Sequence, residues 1–149
     1  MVTAPDTSKC TVSCKDSLIV IQEKKRRAVF RNLEKTDYKV TRIDDCLVKD
    51  GVKVDYLVNK VGVASVLVEL KGSDVDHACD QLEATVRHPL VAPLLEARIG
   101  FVIVCSRYPR IDTKVQRAKS RLARDFKAVL KVVCDRGEFD IERVAGRAR

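Results

Sequence analysis

The alternation of apolar and polar positions is sharpest in the middle of the chain. From Val52 to Asn59, the residues Val52, Val54, Tyr56 and Val58 share one face and Lys53, Asp55, Leu57 and Asn59 the other, the period-two pattern of a strand. Asp50-Gly51 supplies a turn before it and Gly62 a break after it. Ser65 to Lys71 reads as the next strand, with Val66, Val68 and Leu70 on one face and Leu67, Glu69 and Lys71 on the other. Ser73 to Arg87 switches to helical spacing: Val75, Ala78, Cys79, Leu82 and Val86 form a stripe, Ser73 is the expected N-cap, and His88-Pro89 ends the helix. Ile99 to Ser106 is an unbroken apolar run, as expected of a central strand covered on both faces. Asp112 or Thr113 is expected to cap a second helix, whose buried face is Val115, Ala118, Leu122, Phe126 and Val129.

The two ends are less regular. Ser17 to Lys35 is read as a helix in its later part, although Leu18-Ile19-Val20-Ile21 fits a strand equally well. Tyr38 to Val48 reads as an irregular strand, and Lys131 to Val144 as a short strand or a hairpin around Arg136-Gly137. The order is α-β-β-β-α-β-α-β. It predicts an α/β fold: a mixed sheet flanked by helices, with an antiparallel meander followed by parallel crossovers. Residues 1–15 are expected to be a flexible lead-in, 16–144 a single domain and 145–149 a basic tail.

Composition narrows the class. A hydrophobic content of 46% in 149 residues suits one folded domain. No run approaches membrane-spanning length and the first ten residues lack the apolar core of a leader, so a cytoplasmic protein with reduced thiols is expected despite the six cysteines. Cys10 and Cys14 would supply only half of a structural zinc site.

Asp55, Glu69 and Lys71 carry the candidate chemistry. Asp55 and Glu69 are equidistant from Gly62, so a hairpin centred there sets them opposite each other. Opposed Cβ atoms in such a pair lie about 4.5–5.5 Å apart. Two carboxylates that close repel unless a cation bridges them, and their hard oxygens suit Mg²⁺ or Mn²⁺. An ammonium alongside, that of Lys71, would assist an attacking water and offset charge on a phosphodiester. Solvated surface acids and lysines on a sheet face are the bland alternative.

The segments Gly51-Val-Lys-Val-Asp-Tyr-Leu-Val and Ser65-Val-Leu-Val-Glu-Leu-Lys-Gly, in that order of elements, resemble the PD-(D/E)XK nuclease superfamily and its minimal, Holliday-junction-resolvase-like members. The resemblance implies a restriction-endonuclease-like fold, metal binding by Asp55 and Glu69, and assistance to the attacking water by Lys71. Val54 stands where the family name has proline. The resemblance further implies an acid from the first helix, for which Glu23 is the candidate and Glu34 the alternative, and a glutamine near the phosphate on the helix after the Glu-x-Lys strand, which is Gln81. It also implies pairing into a homodimer. Lys53 and Asn59 share the face of Asp55, and His77 sits one helical turn before Gln81.

Charge points the same way. Lys plus Arg is 29 against 21 Asp plus Glu, a net +8 that favours a polyanionic partner. One cluster is Lys24, Lys25, Arg26 and Arg27; the other runs through Arg107, Arg110, Lys114, Arg117, Arg121 and Arg124 on the second helix and its approach. Aromatic residues make up only 5%, so contact with phosphates rather than base stacking is expected, with DNA ahead of RNA. The expectation is a metal-dependent DNA endonuclease. An inactive nuclease-fold module that binds nucleic acid or inhibits a protein is the alternative.

Overall fold

A computed structural model describes residues 8–51, 53–70, 74–107 and 113–147. Its spine is a six-stranded sheet ordered β1-β4-β5-β6-β7-β8, made of β1 (Thr11–Cys14), β4 (Tyr38–Arg42), β5 (Tyr56–Lys60), β6 (Ala64–Leu70), β7 (Arg98–Cys105) and β8 (Val129–Cys134). Antiparallel pairing runs from β1 through β6, and β6, β7 and β8 are parallel to one another. A mixed sheet with an antiparallel meander followed by parallel strands is as the sequence pattern predicts, and β1 adds an unexpected strand at its edge. β6 and β7 sit in its middle, and apart from half-buried Arg98 every residue in them is buried, because both faces are covered.

Two helices cover one face. α1 (Val75–Val86) presents Val75, Ala78, Cys79, Leu82 and Val86, the expected stripe, and α2 (Thr113–Phe126) presents Val115, Ala118 and Leu122. Asp74 caps α1 by accepting from the His77 N–H at 2.9 Å; Ser73, the expected cap, lies outside the described residues. The other face carries a three-stranded sheet, β2 (Leu18–Glu23), β3 (Arg26–Arg31) and β9 (Arg136–Phe139), with the short helix α3 (Ile141–Val144). Ile19, Ile21, Ala28, Phe30 and Phe139 pack there against Val66, Val68, Leu70, Val102 and Val104.

Three expectations are corrected. The first helix does not exist: Leu18 to Arg31 is a β-hairpin. Ile19 and Ile21 point inward while Leu18 and Val20 stay exposed, an alternation that a helix cannot satisfy. Lys24, at a φ of 54°, turns the chain between its strands. The lead-in is not loose from Ser8 onward, because β1 joins the sheet edge and Cys10 is disulfide-bonded to Cys46, so the thiols are not all reduced. The last element is not a hairpin. Asp135, at a φ of 62°, turns the chain out of β8 into β9, which pairs in parallel with β3 in the other sheet. The observed order is thus six strands, helix, strand, helix, two strands, helix. Residues 145–147 of the expected basic tail pack against the fold. Ala145 is buried, and a Cβ on Gly146 would lie 1.6 Å from the Lys127 carbonyl oxygen, so the chain packs here at backbone contact. No helix among the described residues is long and apolar enough to cross a membrane.

Candidate functional site

The β5–β6 hairpin turns over Val61-Gly62-Val63, with Gly62 at a φ of 76°, as its Cβ-free backbone permits. Its register pairs Tyr56 with Val68, and one further step sets Asp55 opposite Glu69. Asp55 stands just before the ladder, where its carboxylate accepts the Leu70 N–H at 2.8 Å and so extends the pairing by one side chain. Glu69 is 2% exposed, on the same face of β6 as Leu67 and hence towards the helices. The register carried one step past the ladder is the one expected for the two acids. Lys71 lies outside the described residues.

Helix α1 holds this corner from behind. The Gln81 side-chain amide donates to the Lys53 carbonyl at 2.8 Å, and the Thr85 hydroxyl accepts the Val54 N–H at 2.9 Å while donating to the Gln81 carbonyl. The two residues ahead of Asp55 are thus anchored to consecutive turns of one helix. Gln81 Oε1 is buried without a hydrogen-bond partner among the described residues. A buried amide oxygen left unmade costs about 1–3 kcal/mol, and such an atom invites a ligand.

Glu23, expected on a helix, is on β2, yet it reaches the same neighbourhood. It lines a cavity of about 230 Å³ with Arg42, Asp44, Asp55 and Tyr56. The hairpin, not a helix, brings a third acid to this wall. Asp44 and Arg42 were missed by the sequence reading. Arg42 ends β4 and Asp44 follows in the irregular stretch after it, where no periodicity marks a facing direction. Among the described residues no three His, Cys, Asp or Glu side chains converge closely enough to form a metal cage. Two opposed carboxylates and an orphaned amide oxygen do fit Mg²⁺, which takes one or two carboxylates and completes its shell with water and phosphate oxygens.

The neighbouring candidates divide. Lys53 folds its ammonium onto the Lys49 and Gly51 carbonyls, 3.7 Å from Asp44, and so braces the loop before Asp55. Asn59 is occupied elsewhere: it donates to the Leu94 carbonyl and bonds the Ser65 hydroxyl, holding the segment before β7. Glu34 lies in the turn after β3, lining a different cavity with Lys60 and Asp140. His77 is exposed on α1. The thiols of Cys79 and Cys105 are in the core, and burial pushes that of Cys105 up.

The two basic clusters differ in kind. Lys24 and Lys25 are exposed at the hairpin tip, and Arg26 and Arg27 follow at the start of β3, half-buried. On α2, acids of α1 answer the cations: Lys114 pairs with Asp80 at 3.2 Å and Arg121 with Glu83 at 2.7 Å. Arg124 pairs with Asp125, which also takes Arg87. The pairs of Lys114, Arg121 and Arg87 hold the two helices together, and a count of cations along the sequence does not register them. Arg117 is exposed on α2, Arg107 is exposed just past β7, and Arg110 lies outside the described residues.

Comparison with protein-family models, with curated proteins and with solved structures finds no match to this chain.

Proposed function

We propose that the chain is a metal-dependent nuclease of PD-(D/E)XK type that hydrolyses phosphodiester bonds in DNA. The observation that carries this reading is the hairpin register that sets Asp55 opposite Glu69, one residue beyond the ladder, where the strands begin to part. Asp55 and Glu69 would hold Mg²⁺ or Mn²⁺. When bound, such an ion lowers the pKa of a coordinated water and offsets charge on the phosphoryl group.

The chain's own residues supply the rest. Leu70 N–H orients the Asp55 carboxylate, and Gln81 and Thr85 hold the backbone ahead of it, so the acid pair is preorganised by strand and helix rather than by a loop. Gln81 Oε1 offers a further buried acceptor at this corner. Glu23 adds negative charge across the cavity from Asp55. Lys71, two residues beyond Glu69, is assigned the assistance to the attacking water. The net charge of +8 draws the polyanion. A homodimer would present two such sites to two strands.

The test is nicking of supercoiled plasmid with Mg²⁺, with EDTA, and by Asp55→Asn, Glu69→Gln and Lys71→Ala. Cleavage that needs the metal and falls by about a thousandfold in each variant is expected. Calorimetric Mg²⁺ titration should lose its signal in the two acid variants. Cleavage that survives Asp55→Asn and Glu69→Gln would end this reading. DNA binding with no cleavage under any divalent ion would leave the inactive nucleic-acid-binding module in its place.

A further inference from the structure

Several clustered cations among the described residues have a carboxylate beside them. On α2, Lys114, Arg121 and Arg124 meet Asp80, Glu83 and Asp125. On β3, Arg31 meets Asp140 at 2.9 Å and Glu138 at 3.8 Å. The other end of β3 is different. Arg27 is the register partner of Arg136 on β9, so two guanidinium side chains project from one face of adjacent parallel strands, on the order of 5 Å apart at the backbone. Like charges directly opposite one another destabilise a sheet. Neither has an ion pair among the described residues, and the Nε atoms of Arg26 and Arg27 are buried without a hydrogen-bond partner. Lys24 and Lys25 stand exposed at the adjoining turn.

The end of β3 that carries this rung adjoins the cavity of Asp55. Glu23, the hairpin partner of Arg26, lines the cavity that contains Asp55. Asp135, next to Arg136, accepts the Arg27 N–H through its carbonyl and donates its own N–H to the carbonyl of Cys105, at the carboxyl end of β7. In the same strand layer Glu69 is level with Ile103, two residues before Cys105. Stacked sheets are about 10 Å apart, and the rung and Glu69 project from opposite sides of the two layers, so the rung is on the order of 15–20 Å from the Asp55–Glu69 corner. That separation is about five nucleotide steps along the axis of a duplex.

We propose that the Arg27–Arg136 rung, with the Lys24-Lys25 turn beside it, is the principal backbone clamp for nucleic acid, and that the α2 cations are not. The choice of partner rests on the nuclease reading. The clamp positions the polymer and takes no part in bond cleavage, so binding and cutting report on it separately. Bound phosphates offset the repulsion between the two arginines. No base is read, so the contact is insensitive to sequence and sensitive to salt.

The test is fluorescence anisotropy of the full chain with a short labelled duplex in EDTA, at two salt concentrations. Arg27→Gln and Arg136→Gln should each weaken binding roughly five- to tenfold and lower the salt slope by about one. Arg27→Lys should keep most of the affinity. Lys24→Gln with Lys25→Gln, at an exposed turn where folding is not at stake, should weaken binding in the same way. Arg121→Gln, which removes a cation already answered by Glu83, should leave affinity unchanged. Asp55→Asn should abolish cutting and keep binding, which separates a failed nuclease reading from a failed clamp. Wild-type affinity in Arg27→Gln and Arg136→Gln would overturn the proposal. So would an equal loss in Arg121→Gln, or binding to phosphatidylserine vesicles without binding to the duplex.

Discussion

Thr85 is the residue whose loss should separate positioning from chemistry. It is fully buried, and its hydroxyl is the acceptor for the Val54 N–H, one residue ahead of Asp55. Thr85→Val keeps the shape and removes the acceptor, leaving that N–H with no partner in a closed core. The cost of an orphaned buried donor is about 1–3 kcal/mol, against a gain of under about 1 kcal/mol from the added apolar surface. The donor penalty wins, and a net loss of about 1–2 kcal/mol is expected. The Gln81 carbonyl keeps its helix bond and adds little to the loss. Thr85→Ser retains the acceptor and gives up a buried methyl, at about 1 kcal/mol. The two variants therefore come out close in stability and should part in activity. In Thr85→Val the backbone ahead of Asp55 is held by Gln81 alone. Displacements below an ångström at a reacting centre cost about ten- to a hundredfold in rate. Urea unfolding gives the stability change, and metal-dependent plasmid nicking gives the activity. A Thr85→Val protein within about 0.5 kcal/mol of the parent, or a Thr85→Ser protein as inactive as Thr85→Val, would refute the argument.

Cys46→Ser should cost roughly 3–4 kcal/mol, the loop-closure entropy of a cross-link spanning 36 residues, and the parent in reductant should melt at the same temperature as the variant; matched melting of oxidised parent and variant would count against the bond. Tyr38 is 1% exposed, and burial pushes its phenol up to about 12 from an ordinary value of 10. The fold thus favours the neutral form, so its contribution is whole below pH 10 and drains as pH rises from 10 to 12, by up to about 2–3 kcal/mol. Tyr38→Phe should flatten that part of the stability profile, and parallel profiles for the two proteins would contradict it.

What could be read in the chain was local and periodic. The strands around Asp55 and Glu69, the stripe of α1 and the apolar run of β7 each announce themselves within about ten residues. Gly62 centres the hairpin, and equal spacing on either side is enough to set the two acids opposite each other, because register in an antiparallel pair is arithmetic. Gln81 was identified for its place on the following helix, and its amide does bond the backbone ahead of Asp55. Other features depended on partners distant in sequence. Leu18 to Arg31 is β-branched and basic enough to suit either a helix or a hairpin, and the choice was made by the apolar face of β6 and β7, which Ile19, Ile21 and Phe30 had to cover. That choice moved Glu23 from a helix to a strand and still delivered it to the cavity of Asp55. β9 has only four residues, too few for a period, and it exists because β3 offers an open edge beyond Asp135. Lys114 and Arg121 of α2 looked free along the chain and are paired with acids of α1 some 34–38 residues away. Periodicity is a property of neighbours in sequence. Which charges cancel, which arginines are left facing each other and which strand edge is closed are properties of neighbours in space, and only the packing of the three layers decided them.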